Sequence, residues 1–204
     1  MKRVLLAALV VALIAGGWLV VRNAGSLLSP ASAPSWYSRT VYPLEHAGVI
    51  RTAARRNGID PALVAAVIYV ESRFDEYARS SQGAVGLMQV LPETGEQIAA
   101  ETGGVGFTPA DLEDPAVNIR YGSYYLRRAL DVFDGDVRAA VASYNAGIGA
   151  VGEWTAAAAA EGHGFRVAEI PYAETRAYVR QVLELRRMYR QTYGDDLRRT
   201  SSPG

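Results

Sequence analysis

The chain has 204 residues, and its 21 Lys and Arg side chains balance 21 Asp and Glu, so the formal net charge is zero. A neutral chain offers no electrostatic argument for binding nucleic acid or an anionic membrane surface. The absence of cysteine excludes disulfides, cysteine-based metal sites and a lipid anchor on an N-terminal cysteine.

The first predicted element is an apolar run over residues 4–21, which Lys2 and Arg3 precede and Arg22 ends. A charged start followed by such a run is typical of a secretory signal or a membrane anchor. The run approaches the roughly 20 residues that a bilayer span requires and exceeds the usual core of a signal peptide. We therefore favour an uncleaved anchor at residues 1–22 over a cleaved signal. Its charged start places the rest of the chain outside the cytoplasm.

The remaining chain divides into a linker, one domain and a tail. Residues 23–42 are rich in Ser, Ala and Pro and lack sustained periodicity, so we expect a flexible linker. The domain is predicted over residues 43–193, and a disordered tail over residues 194–204. Because no segment shows the alternation typical of a strand, the predicted fold class is mainly α, preceded by the N-terminal transmembrane or signal helix.

Capping residues and prolines predict the helix boundaries within this domain. Asp60-Pro61 and Asp114-Pro115 are typical helix starts, with Asp as the N-cap and Pro at the first helical position. Gly103 marks a predicted helix end. The helices are predicted to cover residues 45–57, residues from 61 onward, and residues 92–102, 115–133, 137–144 and 174–193, with a loop at 80–92.

Glu71 is the strongest candidate for a reactive side chain, because it follows an uninterrupted apolar stretch at residues 63–70. A carboxyl group pressed against apolar atoms is poorly solvated, so its charged form is disfavoured and its pKa rises. A carboxylic acid that stays protonated near neutral pH can donate its proton to a leaving-group oxygen. Taken alone, an ordinary helix-end glutamate that reaches water is the commoner alternative.

Two other patterns do not indicate a cofactor or a metal. Residues 147–152 match the dinucleotide-binding pattern GxGxxG, but a predicted helix precedes them where that motif requires a strand. His46 and His163 are isolated, without the spacing that a metal site needs. We therefore expect neither kind of site.

Four short motifs occur in order along the chain: Glu71-Ser72, Gly86-Leu87-Met88-Gln89, Ser143-Tyr144-Asn145-Ala146-Gly147 and Glu174-Thr175-Arg176-Ala177-Tyr178-Val179. A secondary pattern accompanies them: Asp114-Pro115, Asn118-Ile119, Gly122 and Tyr125-Leu126. Together these motifs resemble the soluble lytic transglycosylases, enzymes with a lysozyme-like domain that cleave bacterial cell-wall peptidoglycan. The resemblance covers residues 43–193, with one departure at Ser143, where the family usually has Ala.

The resemblance implies that Glu71 protonates the bond between N-acetylmuramic acid and N-acetylglucosamine. The ionised Glu71 then takes the proton of the 6-hydroxyl, which closes on the anomeric carbon as a 1,6-anhydro sugar, and no water is consumed. The sugar's own N-acetyl group stabilises the charged centre in this scheme. Ser72 is expected to support the loop and Ser80 to orient the N-acetyl group. The full set of implied substrate-binding residues is Ser72, Ser80, Met88, Gln89, Tyr144, Asn145 and Tyr178.

These residues are expected to form a shell around the acid. Tyr144 and Asn145 match family positions that contact substrate near the cleaved bond, and Tyr178 matches one whose hydroxyl approaches the catalytic carboxyl. Gln89 can hydrogen-bond sugar hydroxyls or acetamido groups. Met88 is expected to line the groove and exclude water, with plain core packing as the alternative. For both tyrosines, core packing with a polar tip at the surface is the competing interpretation.

A second carboxylate would indicate a different reaction, because most glycosidases use a pair. Asp75 and Glu76 follow Glu71 closely, but they belong to a predicted polar turn, and exposure is the preferred interpretation. The transglycosylase reaction is therefore favoured over a hydrolytic muramidase on the same fold, and a non-catalytic peptidoglycan-binding protein is the other alternative. The expected partners are the glycan strands and, through residues 4–21, the membrane. The expected location is extracytoplasmic, in the periplasm or on the cell-wall side.

Overall fold

The computed structural model describes residues 29–198. Within that range the fold consists of helices and loops, with isolated β-bridges at Arg79, Val85 and Val90. The mainly α fold class predicted from the sequence is confirmed. The α-helices of this range, numbered in chain order, are α1 (Ser35–Val41), α2 (Ala47–Asn57), α3 (Pro61–Ser72), α4 (Pro92–Thr102), α5 (Pro115–Val132), α6 (Val137–Ala146), α7 (Ile148–Ala160) and α8 (Ala173–Arg198). Short 3-10 helices add Pro30–Ser32, Pro109–Glu113 and Val167–Glu169.

The predicted membrane or signal segment at residues 4–21 lies outside the described residues. Between residues 29 and 198, no helix combines the length and the hydropathy that crossing a bilayer requires. The anchor therefore stays a prediction.

The predicted flexible linker at residues 23–42 contains a helix, α1, in its second half. This helix lies against the C-terminal part of α8, where the Tyr193 hydroxyl donates to the carbonyl of Tyr42 at 2.9 Å and Arg39 pairs with Asp196 at 3.3 Å. A helix of seven residues is too short to be stable by itself, so contacts with a distant part of the chain stabilise it. Composition alone therefore gave the wrong expectation for this segment.

The last helix is longer than predicted. A disordered tail was expected from residue 194, but α8 continues to Arg198, and both Gly194 and Leu197 are buried. Tyr189, Tyr193 and Leu197 continue one apolar stripe at helical spacing, and this stripe packs on the core. Burial of that stripe extends the helix beyond the predicted boundary. Residues 199–204 lie outside the described residues.

Helix α3 forms the centre of the domain. Every residue from Ala62 to Ile68 is buried, so the helix is apolar on all sides, and α8 and α2 pack against it. Asp60 caps its start by accepting a hydrogen bond from the Ala62 N–H at 3.0 Å, and Pro61 occupies the first helical position, as predicted. The central helix therefore carries Glu71, near its C-terminal end, on a rigid support.

The predicted starts of α5 and α6 are also confirmed, whereas α2 begins at Ala47, two residues after the predicted start. Asp114 accepts hydrogen bonds from the N–H groups of Ala116 and Val117 at the start of α5, and Asp136 caps α6 in the same way. Helix α4 covers the predicted range and ends at Gly103 in the left-handed conformation.

Helix α7 was not predicted as a whole, because it begins within the glycine-rich residues 147–152. Helix α6 ends directly before Gly147, so a helix precedes the GxGxxG pattern, as predicted from the sequence. The structural context that dinucleotide binding requires is a strand followed by a turn and a helix. The described residues around this pattern do not provide it.

Candidate active site

Glu71 lies in the last turn of α3, where a side chain from α8 reaches it. The Tyr178 hydroxyl donates a hydrogen bond to Glu71 Oε1 at 2.5 Å. Burial raises the pKa of the Glu71 carboxyl to about 7, while the hydrogen bond from Tyr178 acts in the opposite direction. Near neutral pH the group is thus populated in both protonation states, which suits a proton donor that later accepts a proton.

Two phenols, those of the buried Tyr178 and the partly buried Tyr144, flank this carboxyl. Burial, and then the nearby charge of Glu71, raise the pKa values of Tyr144 and Tyr178 well above the usual range of tyrosine. Both hydroxyls therefore stay protonated at any working pH and serve as fixed hydrogen-bond donors. Tyr144 donates to the main-chain carbonyl of Met88 at 2.9 Å, and Tyr178 donates to the acid. The sequence-based expectation that the Tyr178 hydroxyl approaches the carboxyl agrees with this geometry.

The chain turns sharply directly after Glu71. Arg73 and Phe74 adopt positive φ values of 54° and 67°, which non-glycine residues seldom do. Phe74 is buried by this turn, and the Ser72 hydroxyl donates to the carbonyl of Leu87 at 2.9 Å. Ser72 thus links the end of α3 to the loop that contains Met88. Unusual backbone conformations of this kind cluster where a functional group must be held in place.

The Asn118 side chain holds the loop of residues 86–89 in place through hydrogen bonds. It is fully buried: its side-chain oxygen accepts from the Met88 N–H at 2.8 Å, and its amide donates to the carbonyls of Val85 and Leu112, each at 2.8 Å. Gly86 has a φ of +73°, and a Cβ there would lie 2.5 Å from the Asn118 amide nitrogen. Only glycine therefore permits this approach. Asn118 belongs to a recognised sequence motif, but the motif alone does not predict this supporting role.

The structure corrects the expected position of Met88. The side chain was predicted to line the groove, but it is fully buried and packs against Gly122 of α5. A Cβ at Gly122 would lie 2.6 Å from Met88 Sδ and 2.9 Å from the Tyr144 hydroxyl. Because Gly122 has no side chain, there is space for the Met88 side chain between the loop of residues 86–89 and α5. Met88 therefore belongs to the packed layer that supports the acid, and its alternative assignment to the core is the correct one.

The side chains of Gln89 and Ser80 are both engaged with the protein itself. The Gln89 amide donates to the carbonyls of Ala78 and Gly86 at 3.0 and 2.9 Å, which leaves its oxygen as the remaining polar atom. The Ser80 hydroxyl accepts from the N–H of Ala84 at 3.0 Å within an exposed turn. The predicted contacts of these two residues with substrate stay predictions.

Asn145 lies at the exposed end of α6 and connects that helix to α8. Its side-chain oxygen accepts a hydrogen bond at 2.7 Å from the Thr175 hydroxyl, and Thr175 is itself buried. This bond leaves the amide nitrogen of Asn145 oriented away from Thr175, as a donor at the protein surface. Sequence reasoning missed the part played by Thr175, although it belongs to one of the recognised motifs.

The two acids considered as a second carboxylate point to other partners. Asp75 is exposed and accepts a hydrogen bond from the Tyr77 N–H at 2.9 Å, which closes the predicted polar turn. Glu76 lies beside His46, with Oε1 2.9 Å from Nε2. Over residues 29–198, no group of three or more His, Asp or Glu side chains is placed to hold a metal ion.

The fold and the candidate site together define a mainly helical class of domain, with an acid at the end of its central helix, two phenols beside it and a loop held by an asparagine. The profile of the Transglycosylase SLT domain family matches residues 48–163. The match spans more than half of the chain, and the chain belongs to that family.

Individual relatives are consistent with this assignment. The soluble lytic murein transglycosylase of Escherichia coli (strain K12) is 31% identical over 156 residues, which cover 76% of this chain and 24% of that protein. An inactive mutant of the lytic transglycosylase Slt from Pseudomonas aeruginosa superposes with a TM-score of 0.70 and 31% identity, over 78% of this chain and 26% of that one. The chain thus spans about a quarter of the length of these relatives.

A third comparison concerns a complex with a small molecule. The structure of a 70-kDa soluble lytic transglycosylase with bulgecin A matches with a TM-score of 0.70 and 30% identity, covering 81% of this chain and 28% of that chain. These identities and TM-scores support a shared fold over most of the described domain.

Proposed function

We propose that this chain is a peptidoglycan lytic transglycosylase, a carbon–oxygen lyase that acts on the glycan strands outside the cytoplasm. The observation that carries the proposal is the Glu71 carboxyl, whose pKa burial raises to about 7 beside the Tyr178 hydroxyl. Membership of the SLT family supports the choice of substrate.

In the first step, Glu71 donates its proton to the glycosidic oxygen of the β-1,4 bond between N-acetylmuramic acid and N-acetylglucosamine. The bond from the anomeric carbon to that oxygen breaks, and positive charge develops on the sugar. The substrate's N-acetyl oxygen stabilises this charge, because Asp75 and Glu76 are engaged elsewhere. The N-acetyl group thereby takes the place of a second carboxylate.

In the second step, the ionised Glu71 accepts the proton of the muramic acid 6-hydroxyl. The freed oxygen attacks the anomeric carbon and forms the 1,6-anhydro ring, so the carboxyl returns to its starting state without water. The hydrogen bond from Tyr178 stabilises the ionised carboxylate between the two steps. Because the pKa of Glu71 is near neutral, neither donating the proton nor accepting it back is strongly unfavourable.

The experiment is digestion of purified sacculi with the wild type, Glu71→Gln and the surface control Glu96→Gln, followed by mass spectrometry of the products. We expect anhydro ends, one water lighter than reducing ends, from the wild type and the control, and almost none from Glu71→Gln. The solved Pseudomonas relative, a glutamate-to-glutamine mutant described as inactive, supports the choice of substitution.

Other results of this digestion would indicate a different function. Reducing ends from the wild type would indicate a hydrolytic muramidase, and binding without products would indicate a non-catalytic glycan-binding protein. Equal turnover by Glu71→Gln would remove this carboxyl from the mechanism.

A further inference from the structure

Two aromatic side chains pack against each other near the start of α8 and have no part in the proposed chemistry. Trp154, on α7, and Tyr172, directly before α8, have ring centroids 5.8 Å apart and ring planes inclined by 54°. Trp154 packs against the hydrophobic core, whereas Tyr172 is 62% exposed. The pair therefore presents one aromatic ring to solvent and supports it with another.

The backbone that carries Tyr172 is held firmly. The Arg176 guanidinium donates to the carbonyls of Ile170 and Pro171, and the Arg176 N–H donates to the carbonyl of Tyr172 at 3.1 Å. Ile170 is only 1% exposed and anchors the segment in the core. A ring on a fixed backbone loses little conformational freedom when a ligand covers it, which favours binding.

Tyr172 belongs to the same stretch of chain as two residues of the candidate site. Tyr172 precedes Thr175 by three residues, and Thr175 donates the 2.7 Å hydrogen bond to Asn145. Tyr178, which contacts Glu71, lies five residues into α8, or roughly 7.5 Å along the helix axis from its start. Tyr172 therefore lies only three and six residues ahead of the two α8 residues that contact Asn145 and Glu71.

A small cavity of about 230 Å³ lies beside Trp154, and Pro171, the residue before Tyr172, also lines it. Apolar side chains and polar groups both line it, including Trp154, Phe165, Pro171, Glu161, His163 and Glu169. A sugar ring has the matching character, since its C–H face is apolar and its edge carries hydroxyl groups that donate and accept hydrogen bonds. Concave sites of mixed lining with a few polar groups are typical of small-ligand binding.

We propose that Tyr172 and Trp154 form a sugar-binding platform that holds a pyranose ring of the glycan strand at a distance from the cleaved bond. The inference rests on the proposed function, because a glycan polymer is what spans both places. A strand held at the acid and at the platform gains affinity from the second contact, whereas a short fragment reaches only one. The platform thus makes the enzyme prefer long strands.

The test measures binding of purified glycan strands of graded length to the full chain with Glu71→Gln, so that no cleavage occurs. Adding Tyr172→Ala should weaken the binding of long strands by about three- to tenfold and leave the shortest fragments unaffected. Adding Tyr172→Phe should preserve the affinity, since the ring makes the contact. Trp36→Ala is the matched control, because Trp36 is 71% exposed on α1, at the far end of α8.

The outcomes separate the platform from the proposed chemistry. If Tyr172→Ala binds every strand length as Trp36→Ala does, or if no strand binds at all, the platform is refuted. If the wild type releases no anhydro ends but Tyr172→Ala still weakens the binding of long strands, the platform stands and the proposed reaction fails. Thermal unfolding of each variant, compared with the parent, checks that the fold is intact.

Discussion

Tyr178 and Glu71 are separated by 107 positions in the chain and joined by a hydrogen bond of 2.5 Å. The two residues come from the helices that form the centre of the domain, α8 and α3. Burial of the carboxyl raises its pKa, and the phenol limits that rise. The balance between these two effects determines the pH at which the acid can act.

The first prediction concerns the pH dependence of activity. Glu71 must be protonated to begin the reaction, and its pKa is about 7. We therefore expect kcat/KM to be steady at mildly acidic pH and to fall about tenfold for each pH unit above 7. Initial rates on solubilised peptidoglycan between pH 5 and 9 measure this profile. If kcat/KM began to fall near pH 4.5 instead, the result would contradict a carboxyl whose pKa is raised by burial.

The second prediction tests the effect of the Tyr178 hydroxyl on the pKa of Glu71. Tyr178→Phe removes a hydrogen bond that favours the charged carboxylate, so the pKa of Glu71 should rise and the alkaline limb should move up by roughly one pH unit or more. The maximal rate should fall roughly tenfold, because the carboxyl loses its orienting partner. Tyr144→Phe is the control, because Tyr144 donates to the carbonyl of Met88 and not to the acid. The alkaline limb of the pH profile of this variant should stay where it is in the wild type. An unchanged limb in Tyr178→Phe would exclude the phenol from tuning the acid.

The third prediction concerns stability. The pKa of Glu71 is about 7 in the folded state against 4.5 as the ordinary value, so the folded state binds more protons between these pH values. The free energy of unfolding should therefore fall as pH rises from 4.5 to 7, by about 3 kcal/mol from this one group.

Glu71→Gln removes this dependence. The variant should be close to the wild type below pH 4.5 and should become the more stable protein as pH approaches and passes 7. Urea unfolding at several pH values measures the difference, with Glu96→Gln as the surface control. A gap between Glu71→Gln and wild type that stays constant with pH would show that the carboxyl is well solvated.

The fourth prediction compares two glycines within helices. Gly122→Ala places a Cβ 2.7 Å from Met88 Cβ, an atom close to the backbone that cannot move aside easily, so it should destabilise the fold by about 1–3 kcal/mol and lower activity. Gly152→Ala in α7 meets nothing within 4 Å and should be neutral or slightly stabilising. Denaturant midpoints and rates on sacculi give both readouts. Equal stability of the two variants would contradict the close packing of Met88 on Gly122.

Local signals in the sequence predicted much of the fold. Asp60 and Asp114 marked helix starts because their carboxylates satisfy free N–H groups within the next three residues. Gly103 marked an end because it adopts a positive φ. Helix α1 and the last turn of α8 were not predicted, because contacts between residues far apart in the chain, with each other and with the core, stabilise them.

The candidate site likewise combines residues that local sequence predicts with residues whose roles depend on long-range contacts. Glu71 could be identified because an acid after a long apolar stretch is exceptional, and the motif order pointed to Tyr178. The supporting roles of Asn118 and Gly122 depend on how the loop of residues 86–89 folds onto α5, which no local pattern encodes. Met88 was misplaced for that reason, since its burial depends on a missing side chain in a distant helix.

The length of α8 has a geometric consequence for how this domain works. Tyr178 lies near one end of the helix, and Asp196, which holds α1 through Arg39, lies 18 positions further on, or roughly 27 Å along the axis. Among the described residues, α1 therefore joins the domain far from the reacting carboxyl, and the length of α8 sets the separation. A partner that grips α1 would therefore hold the domain by the end of α8 that lies away from Glu71.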